Sequence, residues 1–63
     1  MQEYQKRVVD EAKELKGRLD KLYDFIGSSM FTLLASDEQA RLGAQEVAMR
    51  LYLDTLNARI AAF

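Results

Sequence analysis

The chain contains no cysteine, no histidine, no proline and no tryptophan. Without cysteine no disulfide can brace it, and nothing in the sequence reports on redox compartment. The absence of both histidine and cysteine removes the usual zinc ligands. It also closes the Ser-His, Cys-His and metal-water routes to catalysis. Glycine is scarce, at three residues, and no glycine-rich phosphate loop occurs. No apolar run approaches the ~20 residues that span a bilayer, and the opening MQEYQKRVVDEAKE lacks the apolar core of a signal peptide. These features lead to the expectation of a soluble intracellular protein. Charge of one sign is missing too: nine basic residues against ten acidic ones give a net charge of −1. That balance argues against a protein held mainly by phosphate neutralisation, so a DNA-binding regulator is only the third reading, and it falls well short of the acidity of a DNA mimic.

At 63 residues the chain is expected to form a single domain, residues 1–63. Such a fold buries only about 60% of its unfolded surface, against an ordering cost of roughly 1.5 kcal/mol per residue. With disulfides and the usual metal ligands gone, oligomerisation is the remaining route to stability, and we expect it.

What is present is helix. The chain is rich in Ala, Leu, Glu, Lys, Gln and Arg, all good helix formers. From Val8 the apolar positions run Val8, Ala12, Leu15, Leu19, Leu22 and Ile26, alternating steps of four and three. That is the seam of a helix packing on helices. Tyr4, Val9, Tyr23 and Phe25 widen the stripe, and Glu3–Arg7 and Glu14–Arg18 are spaced as i,i+4 ion pairs. This reading gives a helix over about 2–26, stopped by Gly27 in a left-handed cap. An elbow over 27–36 follows, in which Ser28 or Ser29 caps a short turn and Met30, Phe31, Leu33 and Leu34 plug the open end. Ser36-Asp37-Glu38-Gln39 then reads as a capping box that opens a helix over about 37–62.

The last helix carries more apolar surface than one partner needs. In AMRLYLDTLNARIAAF, residues 48–63, eleven of sixteen side chains are apolar. One stripe reads Leu42, Gln45, Met49, Tyr52, Leu56, Ile60 (or Arg59) and Phe63, flanked by Leu53. A second set, Ala44, Val47, Ala48, Leu51, Ala58 and Ala62, lies on another side. The expected architecture is all-α: an antiparallel helical hairpin of two long helices with a short helical elbow, assembled into a homo-oligomeric bundle, dimer or higher. Val47, Leu51, Ala58 and Ala62 are its expected oligomer interface.

Chemistry is sparse. The serines cluster at helix ends, where capping explains them. Asp10 with Glu14 and Asp20 with Asp24 are carboxylate pairs on a solvated face, so no catalytic residue, metal site or cofactor is expected and the protein reads as a non-enzyme. SSMFTLLASDEQARL imitates a helix-turn-helix, but its second helix opens with Asp37 and Glu38, which repel phosphate. Lys6, Arg7, Lys13, Lys16, Arg18 and Lys21 are interleaved with acids, a pattern of solvated charge. Gln45, Tyr52 and Arg59 are polar exceptions on or beside an apolar stripe, where buried polar groups need partners. Structurally, Gln45 fixes register and Arg59 pairs with an acid of a neighbouring subunit. Functionally, Tyr52 and Arg59 line a pocket between subunits, the ring stacking on a base and the guanidinium binding a phosphate.

The stretch QKRVVDEAKELKGRLDKLYDFI, together with the spaced set Leu42, Gln45, Met49, Tyr52, Leu56, Arg59 and Ile60, resembles a family of very small tailed-bacteriophage proteins named after a member from a crAss-like phage. RVVDE followed by Leu15, Leu19 and Leu22 is the most specific part, and Gly17 and Gly43 depart from the pattern. The resemblance implies a phage accessory protein that counters host defence in the cytoplasm of an infected bacterium. One form this takes is an oligomer sequestering a nucleotide immune signal, a cyclic dinucleotide or a cyclic ADP-ribose type. By side-chain chemistry, Arg7, Lys21, Tyr52 and Arg59 are the candidate ligand contacts. The alternative is an inhibitor or adaptor that binds a host defence protein through its spare apolar face.

Overall fold

Two runs of alternating four-and-three spacing become two long helices lying against each other. The computed structural model spans residues 1–63 and contains helix α1 (Glu3–Ile26), a single turn α2 (Ser29–Thr32) and helix α3 (Ser36–Ala61). The long helices run antiparallel: Tyr4 meets Phe63 edge-to-face at the open end, with ring centroids 5.9 Å apart. At the closed end Phe25 packs edge-to-face on Phe31 at 6.3 Å.

The α1 seam is where the spacing puts it. Val8, Ala12, Leu15 and Leu19 are buried, with Leu22 and Ile26 half-buried toward the elbow. Leu56 enters this row from α3 and is only 1% exposed, packing with Val8, Ala12 and Leu15, while Met49, Leu53 and Ile60 lean on the same cluster. The seam of α3 is therefore Leu42, Glu46, Met49, Leu53, Leu56 and Ile60, with the same alternating steps as α1. This corrects the expected stripe: Gln45 and Tyr52 stand outside it, exposed, and Leu53 and Glu46 take their places. An aliphatic Leu53 fills the groove beside α1 better than Tyr52, whose hydroxyl needs a polar partner.

Glu46 is the anomaly. Its side chain is 15% exposed, and its Oε2 has no hydrogen-bond partner and no contact with solvent. The nearest cation is the Arg50 Nε at 3.9 Å. That oxygen has exchanged water for one long ion pair, an unfavourable trade.

The elbow departs from its expected chemistry in four places, one of them Ser28, which makes no side-chain cap bond and whose hydroxyl donates to the Phe25 carbonyl. Gly27 has φ −81° and ψ 0°, not the left-handed region, and its N–H donates to the Tyr23 carbonyl at 3.0 Å. The chain reverses one residue later instead, where Ser28 is extended. The capping box at Ser36 does not form, because the helix begins at Ser36 itself after an extended Ala35. Gln39 is free to donate from Nε2 to the Phe31 carbonyl at 2.9 Å, tying α3 to the elbow, and Asp37 accepts from the Glu38 N–H. A reaching-back glutamine occurs at the other terminus, where Gln5 Oε1 accepts from the Gln2 N–H at 2.8 Å. Of the four plug residues only Phe31 and Leu34 are half-buried; Met30 and Leu33 stand in solvent.

Gly17 and Gly43 have open space where a Cβ would sit, and at Gly27 an added Cβ meets the Tyr23 carbonyl at an ordinary 3.5 Å. In urea unfolding at fixed protein concentration, Gly17→Ala is expected to stabilise by about 0.5–1 kcal/mol. Gly27→Ala, which loses no left-handed conformation, stays within about 0.5 kcal/mol of the parent. Glu46→Leu, measured the same way, gains about 1–2 kcal/mol by replacing the stranded carboxylate with apolar contact.

Candidate functional site

Two features of this hairpin are left over once the seam is satisfied, and they adjoin each other. The first is a polar cluster on one side. The Tyr52 hydroxyl donates to the Glu11 carboxylate across the two helices. That hydrogen bond and the Tyr4–Phe63 contact set the register, so Arg59 on α3 and Arg7 on α1 lie at one level, between these two contacts. Arg7 is one turn from Glu11 on the same flank of α1, and Arg59 is two turns from Tyr52 on the same flank of α3. Both arginines are exposed and neither forms an ion pair. The expected Glu3–Arg7 pair is absent, whereas Glu14–Arg18 forms at 3.6 Å. The Glu11 carboxylate, which Arg7 would otherwise reach at i+4, is held by Tyr52.

The outcome is an aromatic ring, 46% exposed, with its hydroxyl fixed by a carboxylate and two unpaired guanidiniums alongside. An unpaired guanidinium offers a planar fork of donors matched to phosphate, and a tyrosine face accepts a stacked base. Of the four candidate contacts, three therefore share one side of the hairpin: Arg7, Tyr52 and Arg59. Lys21 does not join them, since it lies fourteen residues beyond Arg7 on the same helix, about 21 Å along the axis. No enclosed cavity occurs in the single chain, so the cluster is an open surface and not a pocket.

The second feature is the outer face of α3. At about 100° per residue, Ala44, Val47, Ala48, Leu51, Ala58 and Ala62 all point away from α1, and all are exposed. Thr55 completes the row, with Asp54 at one margin and Arg59 at the other. A surface helix ordinarily carries its charges opposite the core; α3 carries them on its two flanks instead. Arg41, Tyr52 and Arg59 form one flank, and Arg50 and Asp54 the other. Leu51, at the middle of the bare strip, is 59% exposed.

Glu11 and Glu46 are the residues that sequence reasoning passed over. Glu11 was readable as a partner for Tyr52 only once the antiparallel register was known. Glu46 sits on the four-and-three rhythm of the seam, but its charge argued against placing it there. No three carboxylates converge as a metal-binding group, and no helix is long and apolar enough to cross a membrane.

Comparison with known proteins adds a lineage to this geometry. No solved structure matches the chain. A protein of Enterobacteria phage T4, described as an uncharacterized 7.5 kDa protein in the denB-rIIB intergenic region, is 35% identical over 60 residues, covering 95% of this chain and 94% of the phage protein. The profile of the Sequestin family matches residues 2–62. The expected small phage family thus holds, while its naming after a crAss-like member is not what these matches give. Aligned with that profile along nearly its whole length, and with a phage protein of almost the same size, this chain belongs to the Sequestin family.

Proposed function

We propose that this protein is a non-enzymatic phage accessory factor that sequesters a small nucleotide signal of host defence, of the cyclic dinucleotide or cyclic ADP-ribose type. The observation that carries the reading is the match to a family named Sequestin over residues 2–62, a name that denotes binding and holding. A phage relative of nearly equal length supports a phage setting for it. The side-chain chemistry suits this ligand class. Arg7 and Arg59 supply unpaired guanidiniums for phosphate, and the half-exposed Tyr52 supplies a stacking face, held in place by Glu11. Sequestration needs affinity and copy number but no bond-making group, so a chain without histidine or cysteine can perform it.

A second reading has one observation in its favour. The uncharged outer face of α3 is the kind of exposed apolar surface that docks on another protein, so an inhibitor or adaptor of a host defence protein fits it as well. The two readings separate on the flank residues. A nucleotide sponge depends on Arg7, Tyr52 and Arg59; a protein inhibitor depends on Leu51 and its neighbours.

Calorimetric titration with a panel of cyclic dinucleotides and cyclic ADP-ribose tests the first reading. Binding of at least one ligand is expected. Arg59→Ala should weaken it about tenfold or more, the loss of one charge-assisted contact, while Lys21→Ala leaves it unchanged. No heat and no thermal shift with any member of the panel, for protein shown to be folded, would exclude the nucleotide reading.

A further inference from the structure

We infer that the outer face of α3 docks on the same face of a second copy of this chain, antiparallel, about a two-fold axis level with Leu53. The first ground is surface area. A globular monomer of 7.2 kDa exposes about 4,100 Å², whereas this hairpin exposes 4658 Å². The hairpin is a rod of 46 × 15 × 14 Å, and the apolar strip on α3 runs along most of its length.

The second ground is shape. The strip from Ala44 to Ala62 repeats in steps of four and three, the rhythm that keeps one helix face against another. Four alanines on it let two helix axes approach to about 8 Å. The strip also fits its own reverse: about an axis at Leu53, Ala44 lies level with Ala62 of the second copy, Ala48 with Ala58, and Leu51 with Thr55. Large side chains thus meet small ones at the centre, and alanine meets alanine toward the ends.

Charge complementarity is the third ground, and it selects the antiparallel direction. Arg50 and Asp54 lie on the same flank of α3. Arg50 reaches only Glu46, at 3.9 Å, and Asp54 has no ionic partner. An antiparallel two-fold brings the same flank of each copy together, so each Arg50 comes within about one turn of Asp54 of the second copy. A parallel pair would put these residues on opposite sides of the seam. Symmetry also turns both Tyr52–Arg59 flanks to the other side of the assembly, next to each other. Because the two apolar faces of α3 are opposed, the result is a four-helix layer with the α3 pair in its middle, not a square bundle. The docking does not depend on the proposed ligand and is tested without it.

Sedimentation equilibrium of the full chain, from micromolar to millimolar concentration, is expected to show a species of twice 7.2 kDa. Leu51→Glu should raise its dissociation constant about tenfold or more. Since a separated hairpin can lose its helicity, a second measurement is made in the otherwise unaltered chain. Ala48→Cys and Ala58→Cys variants, mixed and oxidised, are expected to give a disulfide-linked heterodimer, and Ala48→Cys alone should give far less. A monomer at every concentration would overturn the inference, as would unchanged association of Leu51→Glu. Equal cross-linking of Ala48→Cys with itself would overturn the antiparallel direction.

Discussion

Everything in this hairpin depends on Leu56 entering the row of Val8, Ala12 and Leu15. It is the one large side chain fully withdrawn from water, and burial of that kind contributes about 1.5–3 kcal/mol. Around it, Met49, Leu53 and Ile60 align with the α1 seam and set the register in which Tyr52 reaches Glu11 and Tyr4 reaches Phe63. A contact between two helices hides one face of each and no more. For α1 this suffices, because its other faces are lined by Lys6, Asp10, Lys13, Glu14, Asp20 and Lys21. For α3 it does not. The same helix that supplies Leu56 inward presents Leu51 and a row of alanines outward, and that asymmetry between the helices is the main physical fact about the molecule.

The charges of α3 follow from it. With its inner and outer faces both largely apolar, the helix has only two narrow flanks on which to keep most of its polar residues, and its exposed tyrosine and arginines are gathered there. Arg59 and Tyr52 share one flank, beside Arg7 of α1, and the hydrogen bond from Tyr52 to Glu11 takes up the carboxylate that would otherwise pair with Arg7. Of the five arginines, Arg18, Arg41 and Arg50 pair with acids of their own helix, and Arg7 and Arg59 do not. Binding of a small anion with an aromatic part is what such a cluster can do.

The α1 half of the fold was legible because its apolar and charged residues alternate cleanly, leaving one stripe that can face inward. The α3 half was ambiguous for the opposite reason. Its apolar residues go nearly all round, so a stripe through Gln45 and Tyr52 and one through Glu46 and Leu53 have the same spacing. Only the fit against α1 decides between them, and it favours Leu53 even though Glu46 comes with it. At the elbow, local rules for capping lost to a longer contact: Gln39 bonds the Phe31 carbonyl, eight residues away, in place of its own helix terminus. Of the four candidate contacts, residue type alone points to Arg7, Lys21, Tyr52 and Arg59; the register brings Arg7, Tyr52 and Arg59 to one side and leaves Lys21 about 21 Å along α1 from Arg7. The distance of Lys21 along α1 matters only once the partner helix is in position.

The second interface proposed for α3 and the nucleotide site proposed on its flank share one consequence, an assembly that holds a small molecule. Native mass spectrometry tests this most directly, on protein purified from bacteria with an active nucleotide-based defence. The predicted spectrum shows an even-numbered assembly of 7.2 kDa chains that retains a small molecule of nucleotide mass, released on denaturation. Bare 7.2 kDa monomers with no retained molecule would contradict it.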